Sequence, residues 1–253
     1  MELTNKVALV AGAASGLGRA VCADLAKAGA MVAVMDRDEP GVRAVAEALP
    51  RGLAVPADIT DATAVEEAVE RVCAEFGAVH INVNTAGVVD AAKVVSKGKP
   101  ASLQEFQRVV DINLCGTFNV MRVAIAAMLR NEPENGERGV VINTSSGAAF
   151  EGQPGQAAYS ASKAGLIGLA LPVAREVAGK GIRINTIAPG LFDTPMSASL
   201  PKAVRDGLTA EIPEPRRLGR PEEFADLVHS IIGNGYLNAE CIRLDAAVRM
   251  SYR

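Results

Sequence analysis

Two side chains able to do acid–base chemistry stand four residues apart in the stretch AAYSASKAG (157–165): the phenol of Tyr159 and the ammonium of Lys163. Positions i and i+4 share one face of a helix, a turn apart. The spacing admits two readings: a buried aromatic beside a solvated lysine, or a proton-transfer pair. A second chemical signal lies near the start, where AGAASGLGRA (11–20) sets Gly12, Gly16 and Gly18 between a β-rich run and a helical pattern. Glycines allow a sharp turn and a close ligand approach. The helix that starts there offers free N–H groups and a positive dipole end to a pyrophosphate. The spacing is G-x-x-x-G-x-G rather than the commoner G-x-G-x-x-G. Asp36 closes the next apolar run, 18 residues after Gly18. A carboxylate there accepts hydrogen bonds from adenosine ribose hydroxyls and repels a 2′-phosphate, which favours NAD over NADP. Arg37 is the counter-signal, since it could partner that phosphate if it turned inward.

The elements that must position these groups follow from periodicity. Short apolar runs predict strands at 6–12, 31–36, 52–58, 79–87, 139–146, 181–190 and 240–246. Helical spacing predicts helices at 17–29, 40–50, 61–77, 102–129, about 156–178 and 221–233. Asp61 is an N-cap, Gly29 a C-cap, and Ser102 with Glu105 a capping box. Strands alternating with helices make βαβ units with right-handed crossovers. The expected fold is therefore α/β: a Rossmann-type, doubly wound, seven-stranded parallel sheet in three αβα layers. No linker, repeat or low-complexity segment interrupts 1–253, so a single domain is expected.

Composition excludes other classes. A net charge of −3 supplies no basic patch for nucleic acid. Cys22, Cys73, Cys115 and Cys241 are far apart, with no C-x-x-C, so no metal site is expected and the thiols read as reduced. The opening MELTNKVALVAG enters a strand at once, leaving no room for a secretory leader. The longest apolar run, AGLIGLALPVA (164–174), is too short to span a bilayer and contains a proline. The expectation is a cytoplasmic protein without membrane or nucleic-acid partners.

The order and spacing of AGAASGLG, NTAG (84–87), NLCG (113–116), NTSS (143–146), YSASK (159–163) and APG (188–190) resemble the short-chain dehydrogenase/reductase family over essentially the whole chain. FQRVVDINLCGTFNVMR, AAFEGQPGQAAYSASKAG, IAPGLFDTPM and LNAECIRLDAAVRM are similar to its type-2 3-hydroxyacyl-CoA dehydrogenases. The resemblance implies hydride transfer between NAD and the 3-hydroxyl or 3-keto group of an acyl-CoA, in a homotetramer. The alternatives are a hydroxysteroid or other secondary alcohol, a 3-oxoacyl carrier-protein thioester, or a non-catalytic scaffold. The last has no need of the intact catalytic set.

Oxidising an alcohol requires a base for the hydroxyl proton. A phenol titrates near ~10 unaided, and a neighbouring cation favours the phenolate. Tyr159 is the candidate base and Lys163 the cation. The resemblance also implies that Lys163 holds the nicotinamide ribose, that Ser146 rather than Ser145 meets the substrate oxygen, and that Asn113 holds a water linking Lys163 to solvent. By the same resemblance Ser15 and Leu17 join the glycine turn, and Asp58 and Ile59 flank the adenine. Asn84, Ala86 and Gly87 adjoin the adenosine ribose, while Ile187, Pro189, Gly190, Phe192 and Thr194 adjoin the nicotinamide carboxamide. Gln153 and Gln156 precede the tyrosine helix, where they could line the substrate pocket. Residues 192–220, irregular and proline-punctuated, are the expected substrate lid. Within it Phe192, Met196 and Leu200 are candidates for acyl contact or for lid core, and Lys202, Arg216 and Arg217 for phosphate contact or solvated charge.

Three positions depart from the family pattern. Ala11 replaces a threonine, Thr85 replaces an asparagine, and LDAA (244–247) replaces a glycine-rich ending. The Thr85 hydroxyl is expected to replace hydrogen bonding lost at position 11.

Overall fold

The structure is a computed structural model that describes residues 1–251. In chain order it runs β1 (Val7–Ala11), α1 (Gly16–Lys27), β2 (Met31–Asp36), α2 (Glu39–Glu47), β3 (Gly52–Pro56), α3 (Ala62–Phe76) and β4 (Ile81–Asn84). A small hairpin follows, β5 (Val95–Ser96) and β6 (Lys99–Pro100), then α4 (Leu103–Val110), a π-helical segment (Asp111–Gly116) and α5 (Thr117–Met128). The second half is β7 (Gly139–Thr144), α6 (Ala157–Glu176), β8 (Ile182–Pro189), α7 (Pro195–Ala198), α8 (Lys202–Ala210), α9 (Pro221–Gly233) and β9 (Cys241–Leu244).

The strands are continuous apolar runs because both faces of the sheet are covered: every residue of β1, β7 and β8 is buried. Strand order is β3-β2-β1-β4-β7-β8-β9, and every neighbouring pair is parallel. The chain winds outward from β1 through β2 and β3, then returns to the other side of β1 at β4. That reversal opens a crevice at the carboxyl ends of the strands, where open α/β sheets bind ligands. Val65, Val69, Val120, Ala124, Ala170 and Val173 bury α3, α5 and α6 against one face. Val21, Leu25, Val42, Phe224, Val228 and Ile231 bury α1, α2 and α9 against the other.

The seven-stranded α/β expectation holds, with local differences. The single helix expected over 102–129 is interrupted by the π-helical segment, a one-residue widening that a 3.6-residue period does not register. It leaves the Asn113 carbonyl to accept from Thr117 Oγ1 at 2.8 Å, and it seats Gly116 where a Cβ would lie 2.7 Å from Ile59 Cγ1. Of the expected capping box only one half forms: Ser102 Oγ accepts from Glu105 N at 3.3 Å. Asp61 caps α3 as expected, accepting from Ala64 N at 3.1 Å. The hairpin β5–β6 was not expected. Lys97 and Gly98, both left-handed at φ 50° and 75°, form its turn. The 192–220 stretch carries the helices α7 and α8 rather than remaining irregular throughout.

Candidate active site

The glycine turn sits between β1 and α1 under tight constraint. Gly12 is left-handed at φ 79°, and a Cβ there would fall 2.3 Å from Ala86 N; one at Gly18 would fall 2.3 Å from Gly12 O. The backbone therefore closes on itself, leaving the amino end of α1 facing outward. Ser15 is the N-cap residue, but its hydroxyl makes no capping bond, and the first turn holds no acidic side chain. The orphan amides and positive helix end fit a pyrophosphate. Asp36 is drawn onto the same turn, with Oδ2 accepting from Ala14 N at 3.3 Å and Oδ1 from Asp38 N at 3.2 Å. Thr85 Oγ1 donates to Ala11 O at 2.8 Å and Gly12 O at 3.1 Å, so it does face the turn and ties β4 to it.

The second group of residues converges from β7, α6 and the π-helical segment. Lys163 is buried and donates from Nζ to Thr144 O at 2.8 Å. Its Nζ lies 5.8 Å from the centre of the Tyr159 ring. Burial pushes the Lys163 ammonium down from 10.5 to about 8. Burial also pushes the Tyr159 phenol above its usual range, opposed by its hydrogen bond with Ser146. Desolvation dominates at both groups because it disfavours whichever form is charged. The two serines divide: Ser145 Oγ donates to the Lys163 carbonyl at 2.7 Å and so holds α6, whereas Ser146 lies beside Tyr159 and accepts from Ala148 N at 3.1 Å.

Asn113 is fully buried. Its Oδ1 accepts from Val88 N at 2.8 Å, and its Nδ2 donates to Val88 O at 2.9 Å and Ser162 Oγ at 3.1 Å. A Cβ on Gly87 would lie 3.1 Å from Asn113 Oδ1 and 3.2 Å from Lys163 Nζ. Gly87, Asn113 and Lys163 thus meet at one point.

Other expected residues fall in mixed positions. Thr194 lies against the glycine turn, its Cβ 3.4 Å from where a Cβ of Gly16 would be, and it caps α7. Leu17 is partly buried against the core on that side of the sheet, and Gly190, following Pro189 and the buried Ile187, donates to Leu244 O at 2.9 Å. Asp58 is held below the usual carboxylate range by hydrogen bonds from the Thr60 amide and hydroxyl. Ile59 is buried under Gly116, and Arg37 is exposed. Two side chains turn elsewhere. Asn84 donates to Asn82 Oδ1 at 2.8 Å and Asn143 Oδ1 at 2.9 Å, inside an amide network across the sheet. Phe192 packs edge-on against Phe224 with centroids 6.2 Å apart, so its ring is lid core, while Met196 is exposed. Lys202 and Arg217 are paired with Asp206 and Glu223 within or beside the lid. Gln156 Oε1 accepts from Gln153 N at 3.0 Å, and Gln153 Nε2 donates to Ser251 O at 3.1 Å.

Sequence reasoning missed Asn82 and Asn143, whose signal was asparagine at positions that must be buried in INVN and VVINT. It also missed Ser162, Glu151 and Arg243.

A parallel sheet with its strand order reversing at a glycine-lined turn, and a Ser–Tyr–Lys group at the carboxyl ends of its strands, defines a nucleotide-dependent oxidoreductase. Residues 6–205 match the family model for short chain dehydrogenase, and the chain belongs to that family: an oxidoreductase acting on CH–OH with a nicotinamide cofactor, NAD or NADP. The human protein named 3-hydroxyacyl-CoA dehydrogenase type-2 is 49% identical over 248 residues, covering 96% of this chain and 95% of its own. The Drosophila melanogaster protein of that name is 49% identical over 252 residues, covering 98% and 99%. A 3-oxoacyl-[acyl-carrier-protein] reductase FabG from Thermotoga maritima is 34% identical, covering 98% and 99%. The crystal structure of 3-hydroxyacyl-CoA dehydrogenase type-2 from Mycobacterium avium superposes with a TM-score of 0.94 at 39% identity, covering 98% of each chain.

Proposed function

We propose that the protein is an NAD-dependent 3-hydroxyacyl-CoA dehydrogenase. The observation that carries the chemistry is the convergence of Asn113, Ser146, Tyr159 and Lys163 at the carboxyl ends of the strands, beside the glycine turn. The substrate class rests on the names of the relatives above. A bound nicotinamide supplies the hydride acceptor, or in the reverse direction the donor. Gly12, Ser15, Gly16, Leu17 and Gly18 would hold its pyrophosphate, and Asp36 the adenosine ribose. Asp58 and Ile59 would border the adenine; Ala86, Gly87 and the Asn84 backbone would border the same ribose. Pro189, Gly190 and Thr194 would meet the carboxamide. The Asp36 carboxylate, held at the glycine turn, would repel a 2′-phosphate, which favours NAD.

Tyr159 accepts the proton of the substrate hydroxyl and Ser146 orients the oxygen. The phenol is held neutral by burial, so it needs positive charge nearby to give up its proton, and Lys163 is placed to supply it. Because Lys163 titrates near 8, it can release and regain a proton near neutral pH. A hydrogen-bonding atom at the point above Gly87 would reach both Asn113 and Lys163, giving that proton a way out. Gln153 and Gln156 would face the acyl-CoA thioester side.

A second reading, a 3-oxoacyl carrier-protein reductase, is favoured by the Thermotoga maritima relative. The test is NADH absorbance during incubation with acetoacetyl-CoA, with acetoacetyl carrier protein, NADPH and steroid alcohols as separate arms. Oxidation of NADH by acetoacetyl-CoA supports the proposal. Turnover only with the carrier-protein thioester or only with steroids refutes it. Tyr159→Phe should bind NADH normally and lose at least about 100-fold in turnover. The exposed Leu103, Phe106, Phe118 and Leu171 on α4, α5 and α6, with Leu129 at the end of α5, support a homotetramer, which light scattering of the purified protein would test.

A further inference from the structure

The ten residues between Ser146 and α6 hold the expected substrate side, and one side chain from the far end of the sequence grips them. Arg243, on β9, donates from Nη1 to Glu151 Oε1 at 2.8 Å and from Nη2 to Glu151 Oε2 at 3.2 Å. Its Nε donates to Asp245 Oδ2 at 2.6 Å, and Nη2 also reaches Val248 O at 3.1 Å. Its guanidinium lies over the Phe150 ring, 5.1 Å from the centroid. One planar cation therefore joins the 147–156 loop, β9 and the tail 245–251. A forked guanidinium can make this set of bonds and a lysine cannot.

The tail returns bonds to the same loop. Met250 N donates to Glu151 Oε2 at 3.0 Å, and Gln153 Nε2 donates to Ser251 O at 3.1 Å. Met250 Cε and Arg243 Nη2 lie 3.6 and 3.9 Å from where a Cβ on Gly147 would be, next to Ser146 in sequence. The tail is thus packed against the turn that presents the catalytic serine. It also carries strain. Ala246 and Ala247 are both left-handed, at φ 51° and 61°, which costs about 1–2 kcal/mol per non-glycine residue. The LDAA departure is therefore accommodated with the turn kept, and Asp245 steadies it by accepting from Ala247 N at 3.2 Å. Arg249 bridges Asp245 and Glu151 too, but it is 58% exposed against 22% for Arg243, so solvent screens it more.

We infer that Arg243 is a positioning residue for the substrate: it pins the 147–156 loop to the 245–251 tail, making them one wall beside Ser146. The inference rests on the proposed site for its substrate arm but not for its structural arm. Arg243→Gln and Glu151→Gln should each raise KM for acetoacetyl-CoA tenfold or more, with kcat within about threefold and the NADH Kd within about twofold. The double variant should be no worse than the more damaged single one, and Arg243→Lys should not restore KM. Hydrogen exchange is the second readout: amides of 147–151 and 247–250 should exchange at least about tenfold faster in both variants, with those of 12–18 unchanged. Unchanged exchange and KM, or equal damage to NADH binding, would overturn the inference. If the parent protein does not turn over acetoacetyl-CoA, the activity reading fails and the exchange data alone decide the pin. If Arg243→Gln does not fold, Glu151→Gln, which keeps the side-chain shape, decides it.

Discussion

Replacing Lys163 by methionine should abolish turnover and yet leave the protein at least as stable near pH 7. Burial lowers the ammonium from 10.5 in an open chain to about 8 in the fold. At about 1.4 kcal/mol per tenfold change, keeping this lysine charged costs the folded state roughly 3 kcal/mol at neutral pH. Between pH 8 and 10.5 the unfolded chain binds more protons at this site than the fold does, so the site's contribution to stability rises with pH across that window. Below about pH 8 the full cost is present. Methionine fills much of the same volume without a charge. Against this gain stands the bond from Nζ to Thr144 O at 2.8 Å, whose loss costs about 1–3 kcal/mol if the carbonyl is left unpaired. The expected net change at pH 7 lies between about zero and a gain of 2 kcal/mol, where truncation of a buried side chain ordinarily loses about 2–5 kcal/mol. Urea unfolding of both proteins at one concentration, at pH 7 and at pH 10, measures it. Groups common to both proteins cancel in the difference, which should shift by roughly 3 kcal/mol in favour of the parent protein as the pH rises. A difference that stays flat across this window would refute the argument.

Three further outcomes are expected. Thr85→Val removes the hydroxyl that bonds Ala11 and Gly12; it should cost about 1 kcal/mol and lower Tm by about 2–4 °C, and an unchanged Tm in scanning fluorimetry would contradict it. Gly18→Ala places a Cβ 2.3 Å from Gly12 O and 2.6 Å from Thr85 Oγ1; the turn must move, so NADH affinity by fluorescence titration should fall at least about tenfold, and a Kd near that of the parent would show the turn to be softer than its contacts. Glu223 is held down at about 2 by Arg217 and by the Arg220 amide. A depressed carboxyl stabilises the fold above about 4.5 and loses that contribution as the pH falls toward 2, so Glu223→Gln should flatten acid unfolding across that range, and an identical acid profile would count against the pairing.

Much of the fold was legible because its signals are local. Apolar runs and helical spacings placed all seven sheet strands, and the glycine turn declared itself through three residues within seven positions. Thr85 could be read as replacing hydrogen bonding lost at Ala11 because both positions depart from the family pattern. The π-helical segment escaped because one added residue in a helix barely alters its apolar period. The direction of the Asn84 side chain escaped for another reason, and the choice for Phe192 between acyl contact and lid core stayed open. Strands covered on both faces show no alternation, so nothing nearby tells which way the Asn84 amide turns. The Phe192 ring has its place only because α9 brings Phe224 to it.

The sequence by itself determined the α/β architecture, the nucleotide-binding turn and the candidates Ser146, Tyr159 and Lys163, since each depends on residues a few positions apart or on short motifs. The tertiary structure decided that Ser145 turns instead to the Lys163 carbonyl, that burial raises the phenol and lowers the ammonium, and that Arg243 reaches Glu151 across 92 positions. Protonation and long-range pairing depend on what surrounds a group in space, and the chain specifies those surroundings only once it has folded.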